Sequence, residues 1–132
     1  FVRFNSSLPP RLSEFAIMIA ARQWSQLYEW RAHYPLAVKG GLDKQILVDL
    51  GAGTKPKGMK DDEAALYDFC TEMYRDKNVS DATYKAAATH FGERGIMDLI
   101  GIIGYYDLVS MALIVQQASG KPGDEPPLLP LK

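Results

Sequence analysis

Residues 14–33 read EFAIMIAARQWSQLYEWRAH. This stretch sets two acids, Glu14 and Glu29, and one of only two histidines, His33, in a strongly apolar helical run. Glu29 and His33 are four residues apart, so one helix carries both on the same face. Glu14 must reach them from a second helix, or from an earlier part of a bent one. A carboxylate beside an imidazole within an apolar wall is suited to proton transfer. The plainer alternative for Glu29 and His33 is an exposed helical pair worth about 0.2–0.5 kcal/mol. For Glu14 it is a solvated carboxylate on the wet side of its helix.

The pattern stays helical on both sides of this stretch. Pro9 and Pro10 suit a helix start, since proline is tolerated in the first turn. From Arg11 onward, Leu12, Phe15 and Ile19 share a broad apolar face with Ala16 and Ala20. The helix runs on or restarts near Trp24, which is expected in the core, with Leu27, Tyr28 and Trp30 following. Pro35 should kink or break this second helix, because it lacks an N–H and crowds the carbonyl of Arg31. Gly40 and Gly41 supply a stop. Asp43 is a suitable N-cap for a short helix from Lys44 to Leu50, with Ile46, Leu47 and Leu50 inward.

The segment GAGTKPKGMK is a loop with no phosphate role, because it lacks Walker spacing after a strand. A helix is predicted from Asp61 to Asp76. Its acidic start suits the helix dipole, and Leu66, Phe69, Cys70 and Met73 form its inner stripe. Ser80 caps a helix from Asp81 to His90, where His90 suits the negative dipole end, and Gly92 ends it. The last helix spans Glu93 to Gln117, with Gly101 and Gly104 allowing a neighbouring helix to approach. No strand pattern and no solenoid repeat appear, so the fold class is all-α. An irregular arm, 1–8, and a proline-rich extended tail, 118–132, complete one domain over 1–132. The tail is expected to pack on a neighbouring subunit.

Composition narrows the function classes. With 47% apolar and 23% charged residues, the chain is ordinary for a soluble globular protein. A net charge of -1, without a Lys or Arg cluster, argues against an electrostatic nucleic-acid footprint. Cys70 is the only cysteine, so neither a disulfide within the chain nor a thiolate metal cluster can form. This suits a reducing, cytoplasmic setting, with Cys70 a small buried apolar residue. Two distant histidines make no metal signature. The run from Ile96 to Val115 raises a membrane question. Asp98 and Asp107 interrupt it at about 2.5–3.5 kcal/mol each in mid-bilayer, so it reads as a buried helix of a soluble protein with no membrane partner.

Four segments carry a family resemblance: EFAIMIAAR, YEWRAHYPLAVKGGL, DEAALYDFCTEMYRDKNVSDATY and FGERGIMDLIGIIGYYDLVSMAL. In order and spacing they resemble the carboxymuconolactone decarboxylase family of the alkyl hydroperoxidase D-like superfamily. The resemblance implies an all-helical fold around a central helical hairpin and a homo-oligomer, a trimer or hexamer. In the peroxidase branch a glutamate precedes a CxxC pair, and a histidine follows the second cysteine by four residues. Glu14 and His33 fall on the glutamate and histidine, whereas Gln26 and Glu29 occupy the cysteine positions. Peroxide reduction by a dithiol needs two exchangeable sulfurs and is not expected.

The decarboxylase branch implies a proton-handling site with a histidine between helices, and Glu14, Glu29 and His33 carry over to it as catalytic residues. Tyr28 and Trp30 flank Glu29, and Tyr105 and Tyr106 lie in GYYD. Tyr28, Trp30 and Tyr105 are the candidate substrate-binding residues, with packing as their alternative. The expected function is cofactor-free proton transfer or decarboxylation on a small lactone or carboxylic acid, a lyase activity of aromatic-compound catabolism. A non-catalytic binder of small ligands on the same scaffold is the alternative. A thiol peroxidase working through Cys70 is the least favoured.

Overall fold

The computed structural model describes residues 6–131. Five helices follow in order: α1 (Pro10–Gln23), α2 (Leu27–Lys39), α3 (Lys44–Gly51), α4 (Asp61–Asp76) and α5 (Asp81–Val115). There is no strand among the described residues. Residues 1–5 of the expected arm lie outside the described residues. Residues 6–8 are irregular, and the N–H and hydroxyl of Ser7 donate to Asp98 at 2.8 and 2.6 Å.

The middle of the molecule is α1. Every residue from Leu12 to Arg22 is buried, and the helix packs against α2, α4 and α5 and touches α3. The sequence already carries the reason: Phe15 to Ala21 is an unbroken apolar run, and a helix that is apolar all round is buried all round. Glu14 therefore has no wet side to face. Pro10 opens the helix, as its sequence predicts.

A three-residue turn joins α1 to α2 and makes them a hairpin. Ser25 adopts φ 48°, and the Gln26 N–H donates to the Ala21 carbonyl at 2.9 Å. Gln26 then caps α2: its Oε1 accepts from the N–H of Tyr28 at 2.6 Å and of Glu29 at 3.3 Å. Pro35 does not break α2, which continues to Lys39. Burial of Trp30, His33, Tyr34 and Ala37 on both sides of the proline holds the helix together through the lost hydrogen bond. Gly41, at φ 104°, ends the run.

The remaining helices start where their caps predict. Asp43 Oδ1 accepts from the Gln45 N–H at 2.9 Å, and Ser80 Oγ from the Thr83 N–H at 3.3 Å. At the start of α4, Glu63 Oε1 accepts from the Lys60 N–H at 2.8 Å. Arg11 forks onto Asp62 at 3.0 and 2.7 Å and reaches Glu63 at 2.7 Å, which joins α1 to α4. Leu66, Phe69 and Cys70 of α4 are buried, with Met73 only partly so. Gly92 adopts φ 68° and ψ 177°, a conformation nearly confined to glycine, and interrupts α5 where the sequence predicts a helix end. His90 is exposed just before this break, with its ring tilted beside Phe91.

Four expectations need correction. The tail, expected to extend onto a neighbouring subunit, is seated on its own chain. The Trp30 indole N–H donates to the Pro126 carbonyl at 2.8 Å, the Leu129 N–H to Gly51 at 2.9 Å, and Arg31 to Ser119 at 2.8 Å. Trp24 is not in the core but 37% exposed, with its N–H on Asp107. Gly104 admits no neighbouring helix within the chain, since a Cβ placed there would meet open space. Finally, α5 is not a wholly buried helix. It is long and apolar enough to cross a membrane by length and composition, yet only 28% of its most apolar window is buried. Ile96, Leu99, Ile102, Ile103 and Tyr106 face the core, while Met97, Ile100, Leu108, Met111 and Val115 face outward.

Gly51 shows how tightly the tail is seated. A Cβ there would lie 2.5 Å from the Pro127 carbonyl oxygen and 3.1 Å from the Trp30 ring. Gly51→Ala is expected to cost about 1–3 kcal/mol through forced backbone movement, and to make the tail easier to cleave. Thermal unfolding and limited proteolysis measure both. An unchanged melting temperature would mean that the tail shifts without cost.

Candidate functional site

The hairpin brings the three candidate residues together. Glu14 sits on the first half of α1, and Glu29 and His33 lie one turn apart on α2. His33 Nδ1 lies 2.7 Å from Glu14 Oε1, and Nε2 lies 3.1 Å from Glu29 Oε2. All three are buried, at 4%, 6% and 6% exposure. The two contacts differ in quality. The Nδ1–H donates to Glu14 in good alignment. Glu29 Oε2 is near enough for an ion pair but has no hydrogen bond of acceptable angle. Nε2 is thus the less firmly held end of the ring.

This is an imidazolium between two carboxylates. Burial disfavours the charged ring, but the Glu14 hydrogen bond, the close Glu29 carboxylate and the charges of both acids outweigh it, and the pKa rises from 6.5 to about 9. The ring takes one acid on each nitrogen, on opposite sides, so the three side chains do not converge as ligands around one metal ion would. Among the described residues no other His, Cys, Asp and Glu group offers a metal site.

A pH dependence of stability follows. The folded pKa of His33 lies above its unfolded value, so the folded state binds the proton more tightly. The resulting stabilisation is fully present below about pH 6.5 and disappears as pH rises through about 9. A shift of this size corresponds to about 3 kcal/mol. Urea unfolding at pH 6.5 and at pH 9 should show a loss of that order, below the range in which tyrosines ionise. A flat profile across the window would contradict the pairing.

Tyr106 was the less expected neighbour. Its ring meets the His33 ring edge-on, with centroids 5.2 Å apart. Tyr105, the sequence candidate, is 45% exposed and reaches the site only through its edge contact with Tyr106. Adjacent helical residues point about 100° apart, so only one tyrosine of GYYD can face inward, and the register of the inward Leu99, Ile102 and Ile103 selects Tyr106.

Tyr28 is exposed and lies against Gly120 of the tail. Trp30 is fully buried beneath the tail, its indole N–H on Pro126, which makes it a packing residue rather than a free binding surface. Gln26 is a helix cap tied to the tail through its amide, which donates to the Ala118 carbonyl at 3.3 Å. Cys70 is buried on α4, and burial raises its thiol pKa far above the ordinary value, with Asp107 adding to the effect.

The fold and site together define an all-helical protein whose central hairpin encloses a buried Glu–His–Glu ion triad. No protein-family model matches the chain, and no curated protein matches it in sequence.

Proposed function

We propose that the protein is a carboxymuconolactone decarboxylase-like enzyme, coupling proton transfer to loss of carbon dioxide from a small lactone or carboxylic acid. The observation that supports this is a single one: a buried His33 has a carboxylate at each ring nitrogen inside an apolar wall, an arrangement that favours the imidazolium. Decarboxylation breaks a carbon–carbon bond and leaves its electron pair on the substrate. In a vinylogous β-keto acid that pair delocalises onto the carbonyl, so no organic cofactor is required. The carbon then needs a proton.

His33 Nε2–H supplies it once substrate displaces the poorly aligned Glu29. Glu14 stays on Nδ1, fixes the ring and preserves its charge, and is a positioning residue. Solvent returns the proton to His33. Carboxymuconolactone turnover by purified protein, followed by ultraviolet absorbance, tests this reading. Absence of turnover in the folded wild type would contradict it.

A non-catalytic ligand binder is the second reading. Its support is that both ring nitrogens are already engaged, as in a purely structural triad. Saturable binding of a lactone or aromatic acid without product would favour it. Peroxide reduction through Cys70 is the weakest, because one buried thiol has no resolving partner.

The proposal includes a cytoplasmic homo-oligomer, a trimer or hexamer. Met97, Ile100, Leu108, Met111 and Val115 repeat along the exposed side of α5 at helical spacing, which suits burial against further copies rather than a lipid partner. Sedimentation should show species larger than the 14.7 kDa chain. A monomer alone at micromolar concentration would contradict the oligomer.

A further inference from the structure

A cleft lies where the end of α1, the end of α4 and the Asp107 turn of α5 meet. It holds about 400 Å³ and is lined by Gln23, Trp24, Met73, Tyr74, Lys77 and Asp107. That volume is within the range of small-molecule sites. Asp107 is fixed by two neutral donors on one oxygen: the Trp24 indole N–H at 2.9 Å and the Tyr74 hydroxyl at 2.6 Å, both on Oδ1. Its second oxygen, Oδ2, has no hydrogen-bond partner among the described residues and is not shut off from solvent. No ion pair reaches Asp107 among those residues. Lys77, the one cation in the lining, donates to the Tyr74 carbonyl at 2.6 Å instead.

We propose that this cleft binds a small organic amine, with its ammonium on Asp107 Oδ2 and its apolar body against Trp24 and Met73. A carboxylate without a counter-ion, its rotation locked by two donors, is prepared to accept a charged hydrogen bond. The exposed part of the Trp24 ring and Met73 supply apolar surface for the body of the amine. The Trp24 indole N–H is already bonded to Asp107, so little ordering of that side chain accompanies binding. Asp107 and Trp24 are thereby given a use that the His33 site does not require.

The two tryptophans give two indole N–H signals in a proton–nitrogen correlation spectrum. Trp30, buried on Pro126, is the internal control. Phenethylamine, titrated into the wild-type protein to the low-millimolar range, should shift the Trp24 signal saturably and leave Trp30 still. The neutral 2-phenylethanol should not shift it. Asp107→Asn, which keeps an acceptor for Trp24 and Tyr74, should weaken amine binding at least about tenfold, the size of one lost charge-assisted bond. Equal responses to amine and alcohol, or no response to either, would overturn the proposal without recourse to any variant. So would undiminished binding in Asp107→Asn. An amine response that appears only in Lys77→Met would also overturn it, since Lys77 would then be the cleft's own counter-ion.

Discussion

His33→Ala is expected to lower carboxymuconolactone turnover by about 10²–10⁴-fold, the usual contribution of a positioned acid or base. The ring, its pKa raised by the two acids, carries a proton on Nε2, its less firmly held end, to give to carbon. Glu29→Gln should be milder. It removes the weaker of the two contacts and leaves Glu14 on Nδ1. Glu14→Gln should act mainly through the ring, shifting the upper limb of the pH–rate profile downward as the imidazolium loses its better partner. Equal rates for His33→Ala and wild type would remove the mechanism even if the substrate were correct.

The second large effect is on stability. Removing the imidazole leaves two carboxylates buried in an apolar wall without their cation. Breaking a buried ion pair on one side typically costs about 3–5 kcal/mol, and His33→Ala is expected to fall in that range near neutral pH. The cause is the stranded charge rather than the lost ring. The triple replacement Glu14→Gln, Glu29→Gln, His33→Ala should therefore be more stable than His33→Ala alone, although it alters more of the core. Denaturant melts of the two variants decide the matter. A triple variant less stable than the single one would show that ring packing, and not charge, accounts for the loss. Because the folded fraction of His33→Ala will fall, its turnover has to be compared at equal folded concentration.

Much of the scaffold was legible because its signals are local. Pro10, Asp43 and Ser80 act within one helical turn, and each starts a helix where expected. Glu29 and His33 share a face by spacing alone. Glu14 was legible only as a candidate. The apolar run after it already argues for its burial, but that it meets His33 depends on the turn that folds α2 back on α1.

The failures share that character. Trp24 reads as a core residue until Asp107, far along the chain, draws its indole N–H outward. The tail has no helical or strand period, and its seat depends on one missing side chain at Gly51 and one indole N–H at Trp30. Which of Tyr105 and Tyr106 faces inward is a matter of helix phase, which the inward residues of α5 settle only when its neighbours are known. The exposed side of α5 reads as buried because hydrophobicity alone does not distinguish a core position from an exposed apolar surface.

The protonation state of His33 is the central claim, and nitrogen-edited NMR of the imidazole measures it directly. At neutral pH both ring nitrogens should carry protons, and the signals should titrate with a midpoint near 9. A ring already neutral at pH 7, with a midpoint near the ordinary 6.5, would contradict the triad and the chemistry built on it.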